Sequence, residues 1–234
     1  RSAAFSDRSA TRRRSDHNLR RAAAIALGTL GCRGTHATRR AVSAVLVDAI
    51  QQKRMRDPTA AGLAYLSLGR MLARDPAAGG LTRLLETARD GRYLVRPYAA
   101  LALGLASRGQ PDEVDPRAAE ILRDGLASRK PDGRGRAPFA SAAGLAGLEA
   151  ARAPLRGRVA DRSENAALRG YAALALGYLG DTDATATLTA AWADRRTDEM
   201  AVTTLDALGL LRASGARVVA LSALREGSGQ AAMT

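Results

Sequence analysis

Cysteine is all but absent from this chain. Cys32 stands alone, which excludes an intrachain disulfide and any cysteine-rich metal site. Histidine is nearly as scarce: His17 and His36 are the two, and neither belongs to a His-Glu-x-x-His pattern. His36 follows Cys32 by four residues, but a structural zinc site needs four ligands and this spacing offers two. Aromatic residues make up 3% of 234 positions, fewer than a conventional globular core of that size would hold. No apolar run approaches the roughly 18 residues of a membrane span, and no secretory signal opens the sequence. These absences point to a cytoplasmic protein without membrane insertion.

Motifs of catalysis are missing too. There is no Gly-x-x-x-x-Gly-Lys-Ser/Thr loop and no Gly-x-Ser-x-Gly elbow. Gly133 and Gly135 are followed by Pro138 rather than by the third glycine of a dinucleotide fingerprint. Asp112, Glu113 and Asp115 cluster between Pro111 and Pro116, where a solvated turn or a helix cap accounts for them. The expectation is a chain with no catalytic residues, no cofactor and no metal.

What the sequence has in abundance is repetition. Arg96-Pro97-Tyr98-Ala99-Ala100-Leu101-Ala102-Leu103-Gly104 returns as Arg169-Gly170-Tyr171-Ala172-Ala173-Leu174-Ala175-Leu176-Gly177, with eight of nine positions identical. The glycine that closes each phrase recurs as Gly28, Gly69, Gly104, Gly144, Gly177 and Gly209. The spacings are 41, 35, 40, 33 and 32, the range of stacked repeat arrays. Eight residues before the glycine stand Arg20, Arg96, Arg136 and Arg169, a ladder with Ala61 and Ala201 in the other two copies. A stem covering apolar surface and a head bonding a neighbouring unit would explain that ladder.

Each phrase predicts a helix. Ala and Leu have high helix propensity, and no β-branched run favours a strand. Leu168, Tyr171, Ala172, Ala175, Leu176 and Leu179 share one face of a 3.6-residue period. Pro97 and Pro138 fall where a helix start tolerates proline. Gly180 and Asp181 read as a helix stop and the next N-cap. A second apolar run follows each phrase: Val42, Val45, Leu46, Ala49 and Ile50; Leu81, Leu84, Leu85 and Ala88; Ala184, Leu188, Ala191 and Trp192. Each unit therefore reads as helix, turn, helix. A lone hairpin cannot bury its apolar face, so about six of them must stack around a shared core.

This arrangement resembles the HEAT-repeat family, in particular its short bacterial form of the phycobilin-lyase-like type. The unit closest to that form runs from Leu168 to Asp198, with Arg169, Ala172 to Gly177, Leu179-Gly180-Asp181 and Leu188. The resemblance implies an all-α fold, a right-handed α-solenoid (superhelix) of about six HEAT-like hairpins over residues 17–226. It leaves 1–16 as a basic, flexible lead-in, with Asp16 as N-cap of the first helix, and 227–234 as a flexible tail. The fourth phrase has Gly147 where Leu or Ala is usual. The gaps after Gly28, Gly69 and Gly104 exceed the short form, which implies longer loops or longer second helices there.

Charge frames the question of partners. The formal net charge is +13, and 34 of the 36 basic residues are arginine, Lys53 and Lys130 being the two lysines. Acids interleave with most of the arginines, which favours a compositional excess over a dedicated polyanion surface. Two places depart from that pattern: Arg1 to Arg21, with seven arginines against two aspartates, and Arg129 to Arg136, a Gly/Pro-broken loop; Arg152, Arg156 and Arg158 after the fourth phrase form a third cluster. Arg129, Lys130, Arg134, Arg136, Arg152, Arg156, Arg158 and Trp192 are the candidate partner-binding residues. Three functions follow in order of support: a non-enzymatic scaffold for protein–protein interaction within a larger repeat protein, weak non-specific binding of DNA or RNA backbone, and a bilin-lyase-like or chaperone activity implied by the family alone. Cys32, placed by Gly31 in the first turn, reads as a small apolar loop residue.

Overall fold

The computed structural model describes residues 2–52, 55, 57–108, 114–128, 135–213 and 216–231, the side chains of 2–15, 223 and 225–231 excepted. Among these residues there is no strand, as the Ala/Leu phrases predict. Twelve α-helices follow in order: α1 (Ser2–Arg33), α2 (His36–Gln51), α3 (Pro58–Leu72), α4 (Leu81–Asp90), α5 (Arg96–Ser107), α6 (Pro116–Ala127), α7 (Ala137–Leu145), α8 (Arg152–Ala160), α9 (Ala166–Tyr178), α10 (Thr185–Ala193), α11 (Asp198–Leu210) and α12 (Ala216–Ala231). All six phrase glycines fall on the odd-numbered helices.

The chain divides into two compact units, 1–113 and 114–234. In the first, α1 packs on α3 and α3 on α5, while α2 lies against α1 and α3, and α4 against α3 and α5. In the second, α7 packs on α9 and α9 on α11. There α6 lies against α7, α8 against α9, α10 against α8 and α11, and α12 against α11.

Helix starts follow local chemistry. Asp57, Asp115 and Asn165 accept the amide of the second following residue at the heads of α3, α6 and α9, and Thr197 accepts that of Met200. Pro58, Pro97, Pro116 and Pro138 occupy first turns, where no backbone donor is lost.

The phrase glycine is where neighbouring helices touch. A methyl group on Gly69 would stand 2.4 Å from the Ala102 carbonyl oxygen, one on Gly144 2.6 Å from Cα of Ala175, and one on Gly177 2.8 Å from Cα of Ala207. On Gly28 it would meet the Ser67 side chain, whose hydroxyl donates to the Ala24 carbonyl at 3.1 Å. Each partner is the residue two before the next phrase glycine. Position seven repeats the rule: Gly62 faces the Tyr98 ring and Gly170 faces Thr203, each six before the next glycine. Two pairs of helices in each unit thus share one stacking register. Around it Leu68, Leu103, Leu168 and Leu176 have no exposed surface.

Several expectations give way. The lead-in is not separate from the first helix, since α1 runs from Ser2 and Asp16 lies inside it rather than capping it. Gly31 and Cys32 are in the last turn of α1, buried, rather than in a loop. Gly31 serves packing there: a Cβ would stand 2.1 Å from the Met71 sulfur. Val45 is 53% exposed although it shares the apolar period of α2. The long spacing after Gly28 is taken up by a helix continuing to Arg33 and by α2, sixteen residues against nine in α8 and α10. In the second unit the turn comes sooner. Gly147 and Gly180, each three after its phrase glycine, take φ of 70° and 62°, and Arg212 takes 49° at the same place. The amides of Leu148, Asp181 and Ala213 then close on the carbonyls of Ala143, Leu176 and Leu208, the hydrogen-bond pattern of a Schellman cap. Gly147, like Gly180, is thus a helix stop.

Candidate functional site

The candidate arginines hold hairpins together. Arg136, at the head of α7, donates both terminal nitrogens to the Glu164 carboxylate at 2.9 Å each, just before α9. Arg158, near the end of α8, meets the same carboxylate. Arg156 of α8 reaches Asp181 with its Nε at 2.7 Å and also touches Asp183. Arg152 pairs with Glu149 and donates to the Leu179 carbonyl at 3.0 Å. Asp181, expected as an N-cap, makes no capping bond: it is 1% exposed and faces Arg156. Such bidentate pairs fix geometry as well as charge.

The first unit repeats the device. Arg21 of α1 holds Asp57, ahead of α3, with Nε at 2.6 Å. Arg39 of α2 reaches Asp75, beyond α3, at 3.2 Å, and His36 shares that carboxylate. The Arg21 hydrogen bond keeps the Asp57 carboxyl below its usual range, against the opposing effect of burial. Burial likewise opposes, and His36 and Arg39 outweigh it, in holding Asp75 low. One clamp joins the first-helix layer and another the second-helix layer at each of these two junctions.

The arginine ladder takes the structural role. Arg96 Nε donates to the Ala88 carbonyl at 2.9 Å, and Arg169 Nε to the Val159 carbonyl at 3.0 Å, in each case the helix before its own. Arg169 is 2% exposed and also meets Asp194 at 3.1 Å. Arg20 departs from the ladder: it is exposed, and its neighbour Arg21 makes the clamp. Trp192 is 8% exposed within the core of the second unit, with the Arg195 guanidinium 4.1 Å from its ring centroid. Arg129, Lys130 and Arg134 lie outside the described residues.

A cleft of about 790 Å³ opens in the first unit beside Ile50, Tyr65, Thr87 and Leu94. Four of its polar side chains pair with each other: the Tyr65 and Thr87 hydroxyls at 2.8 Å, and Arg83 with Glu86 at 3.2 Å. Among the described residues no cluster of His, Cys, Asp and Glu could hold a metal ion, and no helix is long and apolar enough to cross a membrane. Neither a model of a known protein family nor a curated protein matches the chain.

The inter-hairpin clamps escape sequence reading because their partners lie 25 to 36 residues apart. The recurrence of an arginine at a phrase start with an acid ahead of the next phrase, as in Arg21 with Asp57 and Arg136 with Glu164, is the one signal for them.

Proposed function

We propose that the chain is a HEAT-like scaffold: a right-handed α-solenoid of about six hairpins that binds a protein partner and catalyses nothing. The observation that carries this reading is the stacking register. Gly28, Gly69, Gly144 and Gly177 each receive the residue two before the next phrase glycine, the repetition expected of hairpins that stack by one rule. Specificity in such a scaffold resides on side chains that do not set the fold.

The polyanion reading loses support at Arg136 and at the cluster of Arg152, Arg156 and Arg158. Arg136, Arg152, Arg156 and Arg158 each face a carboxylate of their own unit, so their charge is largely compensated where they stand. A +13 chain still attracts polyanions at low salt. Titration of labelled duplex DNA separates the two readings. Binding should vanish by roughly 150–200 mM salt, as generic attraction does. A dissociation constant below about 10⁻⁸ M at physiological salt, typical of specific complexes, would overturn the scaffold assignment.

A further inference from the structure

The cleft of about 790 Å³ is lined from the first unit alone: the end of α2, one side of α3, one side of α4 and the turn from Gly91 to Val95. Its size suits a small molecule. At its floor the repeat is broken. Tyr65 stands four before Gly69, where the other copies have Ala24, Ala100, Ala140, Ala173 and Leu205. A position that stacking fills with an apolar side chain here carries a phenol. Its hydroxyl meets that of Thr87 on α4 at 2.8 Å, and the two residues are 2% and 5% exposed. Five copies stack without this hydroxyl, so it serves something other than the fold.

Donor hydrogens outnumber acceptors there. Each hydroxyl carries one hydrogen and a single bond joins the pair, so one hydrogen is left without an acceptor among the described residues. A buried donor left in that state destabilises the free chain. Arg83, one turn before Thr87 on the same face of α4, lines the same cleft. Its Nη1 donates to Glu86 at 3.2 Å, and its Nε is buried with no partner. The Glu86 carboxylate is 59% exposed, so that pair is weakly held. The floor therefore calls for an acceptor. Beside it stand Ile50 and Leu94, the latter a large apolar side chain exposed in the turn before α5.

We propose that this cleft binds a small carboxylic acid. The apolar body lies against Ile50 and Leu94. The carboxylate accepts the spare hydroxyl hydrogen of the Tyr65–Thr87 pair and an N–H of Arg83. Its charge and its two oxygens let it compete with the exposed Glu86 for the guanidinium, which a neutral carbonyl does less well.

Isothermal titration calorimetry of the 234-residue chain with decanoate and with 3-phenylpropionate tests this. At least one of the two acids should bind saturably, one per chain. Decylammonium, the same body as decanoate without an acceptor, should bind at least about tenfold more weakly. Tyr65→Phe/Thr87→Val removes both hydroxyls and keeps both shapes. It should melt no lower than the parent, because the unpaired donor goes with them. Its affinity for the acid should fall about tenfold or more, the effect of one hydrogen bond to a charged group, with none of that loss for decylammonium. Leu94→Asp, at an exposed site, should leave melting unchanged and abolish binding of the acid. No saturable binding of either acid, decylammonium bound as tightly as decanoate, or a folded double variant that holds the acid like the parent would overturn the proposal. If the double variant melts lower than the parent, Leu94→Asp decides alone: undiminished binding there puts the acid elsewhere and overturns the proposal too.

Discussion

The two units solve one packing problem with different turns. Both stack their odd-numbered helices through a phrase glycine, and both clamp a hairpin to the next with an arginine on a carboxylate. In the second unit a left-handed residue three after the glycine stops the helix at once. In the first, α1 runs five residues past Gly28, and a longer α2 follows. The contact between helices therefore keeps one register in both units, whereas the connection between them differs. That is what a stacked array requires: the interface recurs in every unit, and each loop serves only its own.

Leucines of the shared core provide the strongest test that the two units are equivalent. Leu176→Asp and Leu103→Asp place a charge at positions with no exposed surface, one in each unit. Each should cost about 3–5 kcal/mol or more, read by denaturant unfolding. A surface-like loss at either site would break the equivalence. Next come the glycines. Gly69→Ala and Gly144→Ala push a methyl into the backbone of the facing helix, and each should cost about 1–3 kcal/mol. Similar losses in the two units would sharpen the claim of one register; a neutral result in one would confine the rule to the other.

The turn that separates the units predicts a smaller gain. Arg212 holds φ of 49° where Gly147 and Gly180 stand in the preceding copies. Arg212→Gly relieves left-handed strain and should stabilise the chain by about 0.5–1 kcal/mol in thermal unfolding. Acid sensitivity is the subtlest. Asp57 has its carboxyl pKa lowered in the folded state by Arg21. Its contribution is present above the unfolded carboxylate value of about 3.9 and fades as pH falls through the lower folded value. Asp57→Asn should leave a chain less stable at neutral pH and with a flatter decline on acidification. An unchanged slope would remove Asp57 from the clamp.

What the sequence discloses and what it hides follow from range. Six phrase helices were legible because Ala/Leu periodicity and a closing glycine are local signals, and each falls on an odd-numbered helix. Gly180 was legible as a stop for the same reason. Gly31 was misread because a glycine that ends a helix and one that admits Met71 look alike in one dimension. Asp181 was misread because Arg156, 25 residues away, outcompetes the local cap. Val45 shares a buried period yet is exposed, and periodicity alone does not say which side of α2 is covered. The candidate arginines were visible as a cluster, but their pairing with Glu164 and Asp181 depends on the stack itself.

The register claim is tested most directly by comparing two glycines at one phrase position, Gly177→Ala and Gly209→Ala, in equilibrium unfolding. Gly177 faces Ala207 across a helix contact, and Gly209 faces open space. The account predicts opposite signs: a loss of about 1–3 kcal/mol at Gly177 and a gain of about 0.5–1 kcal/mol at Gly209 from helix propensity. Two substitutions of the same sign and size would contradict it.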